Sequence, residues 1–454
     1  MLKLSVAKCK VLAPLLAATK WNQFIVAARN GGLPKRYAPR SQTRMDITQQ
    51  LSMGNQLMKP LSRCIALVLA AVSITLSQAR YSDEIKPYVD FLQTQRVPAK
   101  DYILSLFEKH DIVILCERIH TEFTQYELFA SIVEDKRFID SVGNIFTEIG
   151  SVSQSSDVAH FLHAENMSPD SANTAILNFQ RNCSFWPLWT NKNLSFFIQR
   201  LYDLNKKLPT RNKLNLYPSD VPFIWRDMDT TWLKTFWGRT EALRDSIMAQ
   251  RIITTFDSIS QNFTTRKKAL VIMNYRHAFG HRWEYPVGIK PANVGRFLFD
   301  RYGERVANVY VNGLAITESG NLAIIQEGKW DASFEALKIE DVGFDFVTSP
   351  FGSDDFDIWP YKPRNFKYKD VFNGFAFYLP LKKHRIAYGV PGLVDSVFAH
   401  EVMRRYQMYQ AVPNVEQGYV PTDWRSILRD FSVEDEHSLP RLDSLSIKTL
   451  KWLR

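Results

Sequence analysis

From about Arg80 onward the sequence predicts an α/β fold: a central, mostly parallel sheet with crossover helices on both faces and an irregular, partly helical C-terminal elaboration. Three observations predict it. Short β-branched apolar runs recur between polar turns, which is how strands covered on both faces read. Stretches of helical periodicity separate consecutive runs, the alternation that joins parallel strands through crossovers. No internal repeat or low-complexity linker breaks the pattern, so 80–454 is expected as a single domain.

The first predicted elements are a helix over 102–109 and a strand over 112–116, apolar from Ile112 to Cys116. Helical periodicity over 123–136 follows, then a strand over 144–148. The segment 151–190 reads as helical, interrupted at Pro169 and Pro187. A helix over 196–206 precedes a strand over 213–217 that runs into Pro218, Ser219 and Asp220. A long amphipathic helix over 241–260 leads to a strand over 269–274, and helix 292–301 leads to strand 305–311. Beyond Gly313 the pattern loosens: strand-like 322–326 and 374–379 flank a loop of aromatics and acids (349–368), and helix returns at 394–407.

Charge and cysteine usage narrow the function classes. The formal net charge is +10, from 57 Lys and Arg against 47 Asp and Glu. Residues 1–79 hold eleven of those bases and one acid, Asp46, so the remaining 375 residues balance at 46 of each. The basic balance thus belongs to the leader, and a nucleic-acid partner is not expected. Within the leader, Met58 opens a stretch that reads as a signal peptide: Lys59 and Arg63, an apolar run from Ile65 to Leu76, and Ser77-Gln78-Ala79 as a cleavage site. That run is short for a bilayer span, which takes roughly 20 apolar residues. The expectation is therefore a protein exported to the periplasm or beyond, without a stable membrane span after cleavage near Ala79. Residues 1–57 read as an upstream leader, with an organelle transit peptide as the competing reading. Of the four cysteines only Cys116 and Cys183 follow the leader; one bridge between them or two buried thiols are the alternatives.

In open parallel sheets ligands gather at the carboxyl ends of strands. Four predicted strand ends deliver ionisable groups there: Glu117 and His120, Glu148, Asp220, and His277 after Asn274. Two adjacent carboxylates are expected to raise one another's pKa, and an imidazole titrating near pH 6.5 can draw a proton from water, so the set suits hydrolysis. The same two histidines and two glutamates could instead hold a divalent metal. Arg244 stands beside Asp245 on the long helix, where an ordinary helix ion pair is the simplest role. Phe185, Trp186, Trp189 and Trp225 could line an apolar substrate pocket or fill the core. His281 reads as a rim residue, and Asp354-Asp355-Phe356-Asp357 lacks the spacing of a calcium loop and reads as solvated surface.

These residues carry a resemblance. Val113-Ile-Leu-Cys-Glu-Arg-Ile-His120 resembles the Gly-Glu-x-x-His motif of the erythromycin esterase-like family. Phe146-Thr-Glu148 resembles its second-strand glutamate, and 193–220, ending in Pro218-Ser-Asp220, its helix, strand and Gly-x-Asp segment. Arg244-Asp-Ser-Ile-Met-Ala-Gln-Arg251 resembles its Arg-Asp-x-x-Met-Ala-x-Asn helix, and Val271-Ile-Met-Asn-Tyr-Arg-His-Ala278 its strand followed by Asn-x-His. The resemblance spans about 110–380. It implies that Glu117, His120, Glu148 and His277 surround an ester-hydrolysing water, with Asp220 and Arg244 supporting the pocket; Asn274 and Trp189 are expected beside them as substrate-binding or supporting residues, and no cofactor is expected to be required. Departures are Cys116 for the family's glycine, Thr121 after the histidine, Arg251 for the final asparagine, and His277 one residue late. The wider superfamily holds ChaN-like haem-binding lipoproteins and Tiki-type metalloproteases, so a haem- or metal-uptake protein without turnover and a metal-dependent peptidase stand as alternatives to an esterase or lactonase of a small, moderately apolar molecule. There is no Gly-x-Ser-x-Gly elbow, Walker loop or dinucleotide Gly-x-Gly-x-x-Gly, and His400-Glu401-Val-Met-Arg404 fails the His-Glu-x-x-His zinc pattern.

Overall fold

The computed structural model describes residues 81–236, 241–262, 266–280, 293–316, 321–358, 366–412, 421–439 and 447–453. The expected leader and signal peptide, His281 and the middle of the 349–368 loop lie outside them.

Eleven strands are described, seven of them in one sheet: β1 (Ile112–Glu117), β2 (Gly143–Ser151), β3 (Asn215–Asp220), β4 (Lys268–Asn274), β5 (Val306–Val311), β8 (Asp341–Asp345) and β9 (Gly374–Tyr378). Their order is β3-β2-β4-β1-β5-β9-β8, all neighbours parallel except β8 against β9. The remaining strands form two small ribbons, β6 (Leu314–Ile316) with β7 (Leu322–Ile324) and β10 (Arg385–Tyr388) with β11 (Asp435–Ser438).

The sheet is buried on both faces, and strand alternation explains how. In β1, Ile112, Ile114 and Cys116 join one apolar cluster, while Val113 and Leu115 join the other; β4 divides in the same way, Ala269, Val271 and Met273 against Leu270 and Ile272. Helices Glu241–Gln261 and Val294–Tyr302 supply Met248, Ile252, Phe256, Leu298 and Phe299 to the first cluster. Helices Thr124–Val133 and Lys192–Asn205 supply Phe129, Ile132, Phe197 and Leu201 to the second. This is the predicted α/β architecture.

Several expectations shift. Pro169 begins a helix, Pro169–Asn182, where its missing N–H costs nothing, so it starts an element instead of breaking one. Strand β3 continues through Pro218, which is tolerated because β3 is at the sheet edge. The strand expected over 322–326 is a three-residue partner in a ribbon outside the main sheet, and Gln326 and Glu327 (φ 48° and 50°) turn the chain away. Strand β8 was not foreseen. Asp354 and Asp357 are not solvated surface: Asp354 accepts from Tyr88 Oη, Lys329 Nζ and Trp330 Nε1, and Asp357 from Tyr368 Oη and the Gln326 amide. Cys116 and Cys183 are both buried free thiols, not a bridge.

The C-terminal elaboration reaches back to the carboxyl end of the sheet. Helices Ser396–Gln410 and Trp424–Phe431 bury Ala399, Val402 and Tyr406 against Ile427 and Phe431. Strand β10 bridges to two loops, pairing Ile386 with Glu122 and Tyr388 with Asn191. No helix among the described residues is long and apolar enough to cross a membrane.

Candidate functional site

The four innermost groups come from strands that are neighbours in the sheet, β3, β2, β4 and β1, at their carboxyl ends. Glu117 closes β1 and is buried. Its Oε1 accepts from Tyr126 Oη at 2.8 Å and its Oε2 meets His120 Nδ1 at 2.8 Å. The intervening turn is held rigidly. Gln125 Oε1 accepts from the Arg118 amide (2.7 Å), and Gln125 Nε2 donates to the carbonyls of Ile119 (3.0 Å) and Glu122 (2.8 Å). Beneath it the buried pair Arg118–Glu122 (2.8 Å) anchors the loop, and Asn193 Nδ2 donates to the His120 carbonyl.

Glu148 lies within β2 at an irregularity. The β2–β3 register shifts between Thr147 and Ser151, and Gly150 there has φ +119°, a backbone state that side chains rarely adopt; a Cβ at Gly150 would also meet Pro218 Cβ at 2.9 Å. Such bulges re-aim side chains at sites. Glu148 Oε2 accepts the Asn274 amide at 2.8 Å. Its Oε1 faces three cationic donors: Arg244 Nη2 at 3.1 Å, His277 Nε2 at 3.2 Å and His120 Nε2 at 3.5 Å.

Asp220, the last residue of β3, grips Arg244 in a two-point fork, Oδ1 to Nε at 2.8 Å and Oδ2 to Nη2 at 2.9 Å. The guanidinium lies over the Phe185 ring at 5.2 Å. His277 ends a short turn opened by Asn274, whose Oδ1 caps the Arg276 amide and whose Nδ2 ties the turn to the Arg118 carbonyl. Asp245 Oδ1 holds His277 Nδ1 at 2.8 Å. Arg244 and Asp245 are therefore not the ion pair expected of helix neighbours: Arg244 turns to Asp220 and Glu148, with Nη1 also 3.5 Å from His277 Nε2, and Asp245 holds His277 Nδ1.

The sequence pattern brought Glu117, His120, Glu148, Asp220, Arg244, Asn274 and His277 together, and the fold places Trp189 edge-on to His120, ring centroids 5.4 Å apart. Asn274 serves through its backbone amide and as a tie between turns. Phe185 and Trp225 are core residues and Trp186 packs against them. The sequence reading missed Tyr126 and Asp245. Asp245 had a signal, its place in the Arg-Asp helix motif; Tyr126 had none.

Charge follows from this geometry. Burial alone would lower the pKa of His120, but the carboxylates of Glu117 and Glu148 outweigh it and raise it to about 10. In His277, burial is likewise outweighed, by Asp245 and Glu148, and the ring is raised to about 9. For Glu148, burial pushes upward, yet His277 and His120 hold the carboxyl well below its ordinary value. The expectation of two carboxylates raising one another, beside an imidazole free at neutral pH, is thus corrected. Glu148 faces both imidazoles, and the protons reside on the rings.

Glu117, His120 and Glu148 offer one nitrogen and two carboxylate oxygens within 4.8 Å of one another, a donor set that a divalent cation accepts. His277, expected as a fourth ligand, falls outside that set; its Nδ1 is engaged by Asp245.

No protein-family model and no curated protein matches the chain. Among solved structures it is similar to a mutant erythromycin esterase in its open conformation, at 12% identity and TM-score 0.41, covering 66% of this chain and 96% of that one. It is also similar to a succinoglycan biosynthesis protein, at 9% identity and TM-score 0.39, covering 72% and 98%, and to a Bacillus cereus protein, at 8% identity and TM-score 0.39, covering 65% and 97%.

Proposed function

We propose that the chain is an exported hydrolase that cleaves an ester or lactone of a small, moderately apolar molecule by water activation at His120. The observation that carries this reading is the convergence of two carboxylate–imidazole dyads, Glu117–His120 and Asp245–His277, whose Nε2 atoms face the same oxygen of Glu148. In each dyad the carboxylate accepts a hydrogen bond from Nδ1–H, which fixes the tautomer and leaves Nε2 to exchange protons with the reactants.

With both rings protonated at neutral pH, loss of one proton leaves a base beside an acid. His120 is the base because its side chain is the more open to water, 26% exposed against 16%; the form with His120 neutral and His277 protonated is the minor one, since His120 is raised to about 10 and His277 to about 9. The free His120 Nε2 takes a proton from water as the oxygen attacks the ester carbonyl carbon. Arg244 and the His277 imidazolium stabilise the charge on the carbonyl oxygen. As the carbon–oxygen bond to the leaving alcohol breaks, His277 Nε2 supplies its proton, giving acid and alcohol. Glu148 holds both rings and Arg244 in register.

A second reading rests on the Glu117, His120 and Glu148 donor set: these three would hold a divalent cation, which when bound polarises a carbonyl and acidifies water. A panel of esters, lactones and peptides, assayed on the full chain with and without chelator, separates the readings. Chelator-resistant ester or lactone hydrolysis, reduced about 10³-fold in His120→Ala and Glu117→Gln, supports the first. Activity on peptides alone, lost with chelator and restored by zinc, would replace it with the second.

A further inference from the structure

The mechanism above leaves one neighbour of His120 without a role. Trp189 is only partly buried, and its ring stands at 69° to the imidazole, with centroids 5.4 Å apart. It packs on the apolar cluster on one face of the sheet and remains partly exposed.

Its position is built rather than incidental. Buried Gln180 donates from Nε2 to the carbonyls of Trp189 (3.0 Å) and Asn191 (2.8 Å), fixing the loop from below. The C-terminal elaboration holds the same loop from the side. The Gly389 amide donates to the Thr190 carbonyl (2.9 Å), and Asn191 pairs with Tyr388 of β10. Asn193 links the Trp189 ring to the backbone of His120: its Nδ2 donates to the His120 carbonyl and its Oδ1 accepts from Trp189 Nε1 at 3.5 Å.

We infer that Trp189 is a specificity-determining residue: its ring receives an uncharged aromatic or alicyclic group adjoining the bond that the His120 water attacks. This rests on the hydrolytic reading of the same site and names its substrate class. A fixed indole offers a large flat apolar surface at small entropic cost, and rings pack on it face-on or edge-on. Charge selects against the alternatives. Glu117, Glu148, Asp220 and Asp245 outnumber Arg244 and the two imidazoles, so the site disfavours a further anionic group on the substrate.

The test compares the full-length protein with its Trp189→Ala and Trp189→Phe variants, using 1-naphthyl acetate, methyl acetate and the non-hydrolysable ketone 2-acetonaphthone. The ratio of kcat/KM for the naphthyl over the methyl ester is expected to fall about tenfold in Trp189→Ala, mainly through KM, and to be largely restored in Trp189→Phe. The dissociation constant of the ketone, measured by calorimetry, is expected to move in parallel. Equal losses on both esters, or ketone binding indifferent to Trp189, would overturn the proposal. If the ketone binds in a Trp189-dependent way while no ester turns over, the subsite stands and the hydrolytic reading falls.

Discussion

At the scale of single residues, the account rests on which atom each acid occupies. Asp245 touches no reactant in the proposed mechanism; it holds His277 Nδ1 and so decides which nitrogen faces Glu148. Asp245→Asn keeps the shape and removes the charge, and it is expected to lower kcat by about 10³-fold with little change in melting temperature, by analogy with the loss when a tautomer-fixing carboxylate becomes an amide. Steady-state kinetics beside a thermal melt checks this. The rings impose a pH dependence as well. His120 and His277, raised to about 10 and about 9, bind protons through neutral pH, so kcat/KM is expected to climb as pH rises from 7 towards 9. A profile with its ascending limb near pH 6.5 would mean that His120 is not embraced by two carboxylates in solution.

Elements place these residues, and here the buried pair under the His120 turn matters most. Arg118 and Glu122 are almost fully buried; Glu122 Oε2 also accepts the Gln125 amide, and its Oε1 accepts the amides of Thr124 and Arg385. Glu122→Ala leaves Arg118 charged and uncompensated inside the protein, so a destabilisation of about 3–5 kcal/mol is expected in denaturant titration, with loss of activity. The turn was only partly legible in the sequence. The strands were legible because β1 and β4 are continuous apolar runs, and the polar residues that follow the runs of β1, β2, β3 and β4 announced Glu117, Glu148, Asp220 and His277. Strand β8 was not, because its ends, Asp341 and Asp345, are exposed acids and only its three central residues are buried. The bulge at Gly150 leaves no periodic signal, and Tyr126 reaches Glu117 only because helix Thr124–Val133 packs back on β1. Asp245 was visible, but local charge pairing was the wrong guide to its partner: His277, 32 residues away, outcompetes its neighbour Arg244, which Asp220 already holds.

Over the whole molecule, the buried titratable groups oppose one another across the pH scale. His120 and His277 have raised pKa values, so their contribution to stability is full below about 6.5, the unfolded value, and is lost as pH rises towards about 9 and 10. His384 runs the other way. Burial first, then the Arg118 charge, lowers it to about 3, so it is neutral in the fold, and its contribution, present above about 6.5, is lost as pH falls towards 3. Glu122 is lowered to about 2, its burial outweighed by Arg118, and adds to the loss below about 4.5. Asp331, raised by burial to about 7, offsets part of the acid limb, because it binds its proton more tightly in the fold. The melting temperature is accordingly expected to peak near pH 6–7 and to decline on both sides, with the alkaline decline flattened in His277→Asn.

The convergence of both imidazoles on one oxygen of Glu148 is most directly tested by the ¹⁵N resonances of His120 and His277, followed by pH titration in the full-length protein under chelator, with and without Glu148→Gln. Both rings should be protonated at pH 7 in the parent, and removing the Glu148 charge should lower both pKa values together. If either ring titrates near 6.5 in the parent, or if Glu148→Gln moves only one of them, the two dyads do not share that carboxylate and the acid–base pair does not exist.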